Sequence, residues 1–208
     1  MKRPLAALAI VALLTACSEA TPAVVEGQPT TTTPPVTTSE TPTPTPTPLP
    51  TWRAADGPAT WTCKADDGVV YRIMVPTAAD NALVKRLENA RSHVKGAERP
   101  HYLVIEADAT KASGTAGLYR ITWATEDAAS VTADPITDTI SAWRDLVTTD
   151  NVEVYNALVD LSNDLNRSNP VKGAKGTMLM VASAPITSMV APTVYPDGFS
   201  QAPCELGA

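Results

Sequence analysis

Histidine and phenylalanine are almost missing from this 208-residue chain, with two of the former and one of the latter. The two histidines, His93 and His101, leave little material for imidazole chemistry, because a metal held by them needs further ligands such as Glu98 or Glu106. Cysteine is scarce as well: Cys17, Cys63 and Cys204 make no C-x-x-C pair, so zinc-ribbon and thioredoxin-like readings fall away. There is no H-E-x-x-H and no G-x-S-x-G, hence no zincin helix and no nucleophile elbow. No apolar run approaches the roughly 20 residues that a spanning helix needs; residues 5–14 form an uninterrupted run of ten. Basic side chains are also in deficit, 16 against 22 acids. An acidic domain of this kind repels phosphate backbones, which argues against a nucleic-acid partner.

Lys2 and Arg3 stand before the apolar run, and Leu14-Thr15-Ala16-Cys17 closes it, followed by Ser18. Ten helical residues rise ~15 Å, about half a bilayer's hydrocarbon thickness, which suits a secretory h-region and not a span. Leu14-Thr15-Ala16-Cys17 resembles the lipobox of bacterial lipoproteins, a Leu-small-small-Cys sequence at the end of a secretory signal. The resemblance covers residues 1–17. It implies cleavage before Cys17 and acylation of the Cys17 thiol, with palmitate-type chains that partner the membrane. Two or three acyl chains at ~0.8 kcal/mol per buried methylene give durable anchoring. The expected location is the extracytoplasmic face of the bacterial cell membrane. Cleavage removes Lys2 and Arg3 and no acid, so the mature chain carries 14 basic and 22 acidic side chains, a formal net charge of −8.

Once Cys17 is acylated, Cys63 and Cys204 remain as an even pair in an oxidising compartment, and a disulfide between them is expected. The alternative is two free buried thiols. Residues 18–51 are Thr, Pro, Glu, Ser and Val, ending in an alternating Thr-Pro run over residues 41–48. Such a segment lacks the apolar periodicity needed to offset its ordering entropy, and Thr-Pro alternation favours extended polyproline II. It reads as a disordered spacer. The alternative, a proline-rich ligand, lacks flanking basic residues to orient docking.

Residues 52–208 are enough for one domain with a real core. Trp61, Cys63 and Ala65 alternate on one face, Asp66-Asp67-Gly68 reads as a hairpin turn, and residues 69–75 return. Thr77 with Asp80 resembles a capping box before a helix whose stripe is Ala79, Leu83, Val84, Leu87, Ala90 and Val94. Residues 101–107 are apolar on both faces, which predicts a central strand. Residues 118–125 alternate, with Tyr119, Ile121 and Trp123 on one side. Asp134-Pro135 and Asp150 with Glu153 open two helices, the second with a predicted stripe of Val152, Tyr155, Leu158, Val159, Ser162 and Leu165. Residues 176–183 make a final apolar strand, and the proline-bearing tail reads as irregular, pinned by Cys204. The predicted class is α+β: a two-layer sandwich with one mostly antiparallel or mixed sheet of about five strands and about three helices packed mainly on one face.

No stretch forms a catalytic or metal constellation, and no cofactor is implied. Ser92-His93-Val94-Lys95 matches an S-x-x-K string, but Ser92 falls near a helix end where a nucleophile would have to open one. Gly173-Ala174-Lys175-Gly176-Thr177 precedes a strand and so offers no helix N-terminus to a phosphate. Asp66, Asp67, Glu126, Asp127, Asp134 and Asp138 cluster at turns and helix starts, where capping and solvation account for them. Trp52, directly after the spacer, is either a staple that holds the spacer's end or a contact-surface residue, and is the one speculative binding residue. The expected function is a lipid-anchored, surface-displayed, non-catalytic domain that binds a protein or cell-wall ligand. A small apolar-ligand carrier and an envelope hydrolase are the alternatives.

Overall fold

The computed structural model describes residues 47–147, 151–167, 169–198 and 200–207. Cys17 with the rest of residues 1–17, residues 18–46 of the expected spacer, and Asp150 lie outside the described residues. Nine strands and three α-helices are seen among the described residues: β1 (Thr51–Arg53), β2 (Ala59–Lys64), β3 (Val70–Val75), α1 (Ala82–Ser92), β4 (His101–Asp108), β5 (Leu118–Ala124), β6 (Ser130–Pro135), α2 (Ile136–Leu146), α3 (Val152–Arg167), β7 (Lys175–Ala182), β8 (Ser188–Pro196) and β9 (Ala202–Leu206).

Every strand pairing is antiparallel, and eight strands close on themselves in the order β8-β5-β6-β7-β4-β3-β2-β9 and back to β8. The ninth, β1, adds to β8 at Ser188–Val190, while β9 takes Thr193 and Val194. An eight-stranded barrel is just wide enough for side chains to fill it. Period-2 alternation supplies them: Trp61 and Cys63 from β2, Tyr71 and Ile73 from β3, Leu103 and Ile105 from β4, Ile121 and Trp123 from β5, Met178 and Met180 from β7, all in one buried cluster. The β2–β3 hairpin turns at Asp66-Asp67-Gly68, with the Gly68 N–H donating to Ala65 O (3.0 Å) and the Ala65 N–H to Val69 O (2.9 Å).

The second apolar cluster lies outside the barrel. Its floor is the outward face of β4 and β7, Tyr102, Val104 and Leu179, and its cover is Val84 and Leu87 of α1, Ile136, Ile140 and Trp143 of α2, and Leu158, Leu161 and Leu165 of α3. The two-faced apolarity of residues 101–107 therefore has a definite cause, since one face lines the barrel and the other carries helices. Tyr102 also pins α1: its hydroxyl donates to Glu88 Oε1 at 2.7 Å, and Arg91 holds the same carboxylate at 3.0 Å.

The expected two-layer sandwich of about five strands is thus overturned. Four strands were not anticipated. β8 and β9 fall in the proline-bearing tail, but the prolines sit where they cost the ladder least. Pro192 occupies a β-bulge beside Ala191, whose φ is +44°, at the point where β8 passes from one partner to the next. β6 ends at Asp134-Pro135, so Asp134 is a strand residue and Pro135 the N-cap of α2. The Asn81 side chain caps α1, accepting from the N–H groups of Leu83 and Val84, while the Thr77 hydroxyl donates to Tyr102 O instead. In α3 the buried stripe is Leu158, Leu161 and Leu165, which leaves Val152 and Tyr155 59% and 45% exposed.

Candidate functional site

Concave surface forms where helices meet each other over the barrel. A groove of about 470 Å3 runs between α1 and α3. Its floor is aliphatic, with Ala90, Leu158 and Leu161, and Ala157 stands on its wall. Arg86, Asn89, His93, Glu153 and Asp160 make a mixed polar rim. The helices are tied beside it by Arg86 Nη2 to Asp164 Oδ2 at 2.5 Å, and hydrogen bonding from Arg86 holds the Asp164 carboxyl below its ordinary range. Helix periodicity builds the groove: Leu158 and Leu161 face the barrel, and the small residues Ala90 and Ala157 keep the two helices from filling the space above them.

His93 Nδ1 lies 2.7 Å from Asn89 O, so that nitrogen is the donor. His101, at the start of β4, lines a different hollow with Pro76, Arg99 and Ile186, so the structure does not bring the two histidines into one site. Ser92 donates to Asn89 O at 2.7 Å from the last turn of α1, as a helix-terminal serine does.

The candidate acids are dispersed among separate structural partners. Asp67 Oδ1 accepts from the Val69 N–H at 3.0 Å inside the hairpin turn. Glu126 takes a bidentate pair from Arg53 (2.8 and 2.7 Å), which lowers its pKa. Asp127 accepts from the Thr125 hydroxyl, and Asp134 from Arg120 Nε at 2.9 Å. Asp138 lies in the first turn of α2, where a carboxylate complements the helix dipole. Among the described residues, no group of three or more His, Cys, Asp or Glu is placed to hold a metal ion.

Cys63 and Cys204 are disulfide-bonded. Trp52 is 1% exposed within the barrel core, with its indole N–H on Gly57 O at 2.7 Å, so its side chain offers no surface to a ligand. The sequence reading missed the α1–α3 groove. Its signal was a pair of alanines, Ala90 and Ala157, beside apolar stripes on two helices, and nothing in either helix alone announces that they meet.

Fold and surface together define a class: a closed antiparallel barrel with a packed core and one helical face. No family model, no curated protein and no solved structure matches the chain.

Proposed function

We propose that this chain is a lipid-anchored binding domain displayed on the extracytoplasmic face of a bacterial cell membrane, without a catalytic role. The α1–α3 groove is the observation that carries the reading. It joins an aliphatic floor to a mixed polar rim, the combination that gives a recognition surface both affinity and register. Its partner presents an apolar ridge flanked by groups of both charges, which answer Arg86 on one wall and Glu153 and Asp160 on the other. The anchor reading rests on Leu14-Thr15-Ala16-Cys17, and the spacer that follows it, up to β1 at Thr51, sets the reach of the domain.

The carrier alternative gains little, because Trp52, Trp61, Tyr71, Leu103, Ile105 and Met180 fill the barrel where such a ligand would lie. The hydrolase alternative is weakened by the separate engagements of the acids and by the separation of His93 from His101.

Two experiments test the proposal. A Cys17→Ser chain is expected to leave the membrane fraction, and full retention there removes the anchor. A photo-crosslinking residue at Ala157, in the anchored chain on intact cells, is expected to give a discrete adduct that the same residue at Thr62, on the outer wall of β2, does not. Identical adducts from both positions, or none from Ala157, overturn the groove as the binding surface.

A further inference from the structure

We propose that the recess between the start of β5, β7, the start of α2 and the end of α3 is a second recognition site, independent of the groove, which binds one pyranose ring of a neutral glycan with Tyr119 as its aromatic shelf. The sequence alternation predicts Tyr119 beside Ile121 and Trp123, inside. In the structure a register shift between Leu118 and Arg120 turns both Tyr119 and Arg120 outward, and Tyr119 is 49% exposed. Bulges re-aim side chains in this way, and they concentrate at functional positions. Tyr195, in register with Arg120 on β8, stands against Tyr119 with ring centroids 5.9 Å apart and planes at 58°, so the shelf is buttressed. Arg120 is occupied by Asp134 at 2.9 Å.

Next to Tyr119 lies a hollow of about 180 Å3. At ~30 Å3 per water that is room for about six waters, the scale of one sugar ring and too small for a peptide segment. The floor is aliphatic, and the polar lining is Thr137, Asn166, Asn169 and Asp197. Carboxamides supply paired donors and acceptors, and a carboxylate accepts from vicinal hydroxyls. An aromatic face receives the C–H face of a pyranose, so the set matches a polyhydroxylated ring on both of its sides. Asp197 is the one charged residue of the lining, and it is an acid, so anionic ligands are disfavoured.

The position of Asp197 depends on Gly117. The Asp197 N–H donates to Gly117 O at 3.1 Å, and its carboxylate packs on the Gly117 Cα. A Cβ at Gly117 would stand 2.2 Å from Asp197 Oδ2 and 2.8 Å from its Cγ. Gly117 has no left-handed φ to account for it, so its missing side chain is the room that the carboxylate uses. Gly117→Ala therefore moves Asp197 without deleting a polar group.

The test is affinity electrophoresis of the mature chain, in a non-glycosidic detergent, through gels containing a neutral α-glucan, a neutral β-glucan or glycol chitin. At least one is expected to retard the chain. Tyr119→Ala and Gly117→Ala each weaken that retention at least tenfold, Tyr119→Phe keeps most of it, and Tyr155→Ala, an equally exposed tyrosine on α3, keeps all of it. Should Gly117→Ala fail to fold, Asn169→Ala takes its place with the same expected loss. Absence of retardation in all three gels overturns the site, and so does retardation that Tyr119→Ala leaves unchanged.

Discussion

Cys63 of β2 and Cys204 of β9 are a register pair, Cα atoms 4.1 Å apart, joined as a disulfide across 141 residues of sequence. β9 is five residues long and is the strand that connects β2 to β8, so this covalent link fastens the closing strand of the barrel. The loop is long, and in the chain-entropy account its closure removes about 5 kcal/mol of unfolded-state freedom. Reduction, or a Cys63→Ala/Cys204→Ala chain, is expected to lower stability by about 3–5 kcal/mol. Urea unfolding with and without reductant reads this. Hydrogen exchange should show residues 202–206 losing protection before β3 and β4. Unchanged urea midpoints would show that β9 holds without the bond.

The pattern of what was legible follows from range. Hairpins and helices write themselves locally, so β2–β3 with its Asp66-Asp67-Gly68 turn, α1, and the double-faced strand β4 could be read from spacing alone. The Cys63–Cys204 pair was legible by elimination, since the expected acylation of Cys17 left two cysteines. Barrel closure was not, because it depends on β8 accepting β5 along one edge and β1 and β9 along the other, and β8 is punctuated by Pro192. Proline argues against a central strand unless a bulge excuses its missing N–H, and the bulge is a tertiary fact. Tyr119 failed for the same reason, as one extra residue in β5 inverts the alternation that places it inside. On α3 the predicted stripe held Leu158 and Leu165, but it took in Val152 and Tyr155, which are exposed, and left out Leu161, because a helical face one turn from the end can be drawn through either set.

Trp52 illustrates the energetic consequence. Next to a Thr-Pro spacer it reads as a staple for the spacer's end or as a contact-surface residue; β1 turns it into the core beside Met189, its register partner on β8. Trp52→Ala is expected to cost about 3–5 kcal/mol, the usual range for truncating a buried tryptophan. Thermal melting of the two chains checks it. A loss below about 1 kcal/mol, typical of surface changes, would place the indole outside.

Gly68 sits at φ +88°, and a Cβ there would meet Lys111 O at 2.8 Å. Conformation and space both require glycine, and the close neighbour is backbone, which cannot swing aside. Gly68→Ala is expected to destabilise by about 1–3 kcal/mol. Gly57 provides the control, since it has positive φ but open space around it, so Gly57→Ala should cost less. Equal losses in urea unfolding would rule out the contact with Lys111 as the cause.

Glu88 sets an acid sensitivity whose sign can be worked out. Burial raises its pKa, but hydrogen bonds from Arg91 and Tyr102, with the charges of Arg91 and Arg99, outweigh this and hold the carboxyl below its ordinary 4.5. The folded state therefore binds a proton less readily than the unfolded chain. By linkage, the stability due to this carboxylate is fully present above pH 4.5 and is lost as pH falls from there through the depressed folded value. Glu88→Gln keeps the acceptor for the Tyr102 hydroxyl and removes the charge. At neutral pH it is expected to be about 1–2 kcal/mol less stable than the parent. As the pH drops below 4.5 the parent protonates Glu88 and the two chains should converge. Melting temperatures measured across that interval decide the matter: a gap that stays constant down to strong acid would mean that the carboxylate's charge does not hold α1 against β4.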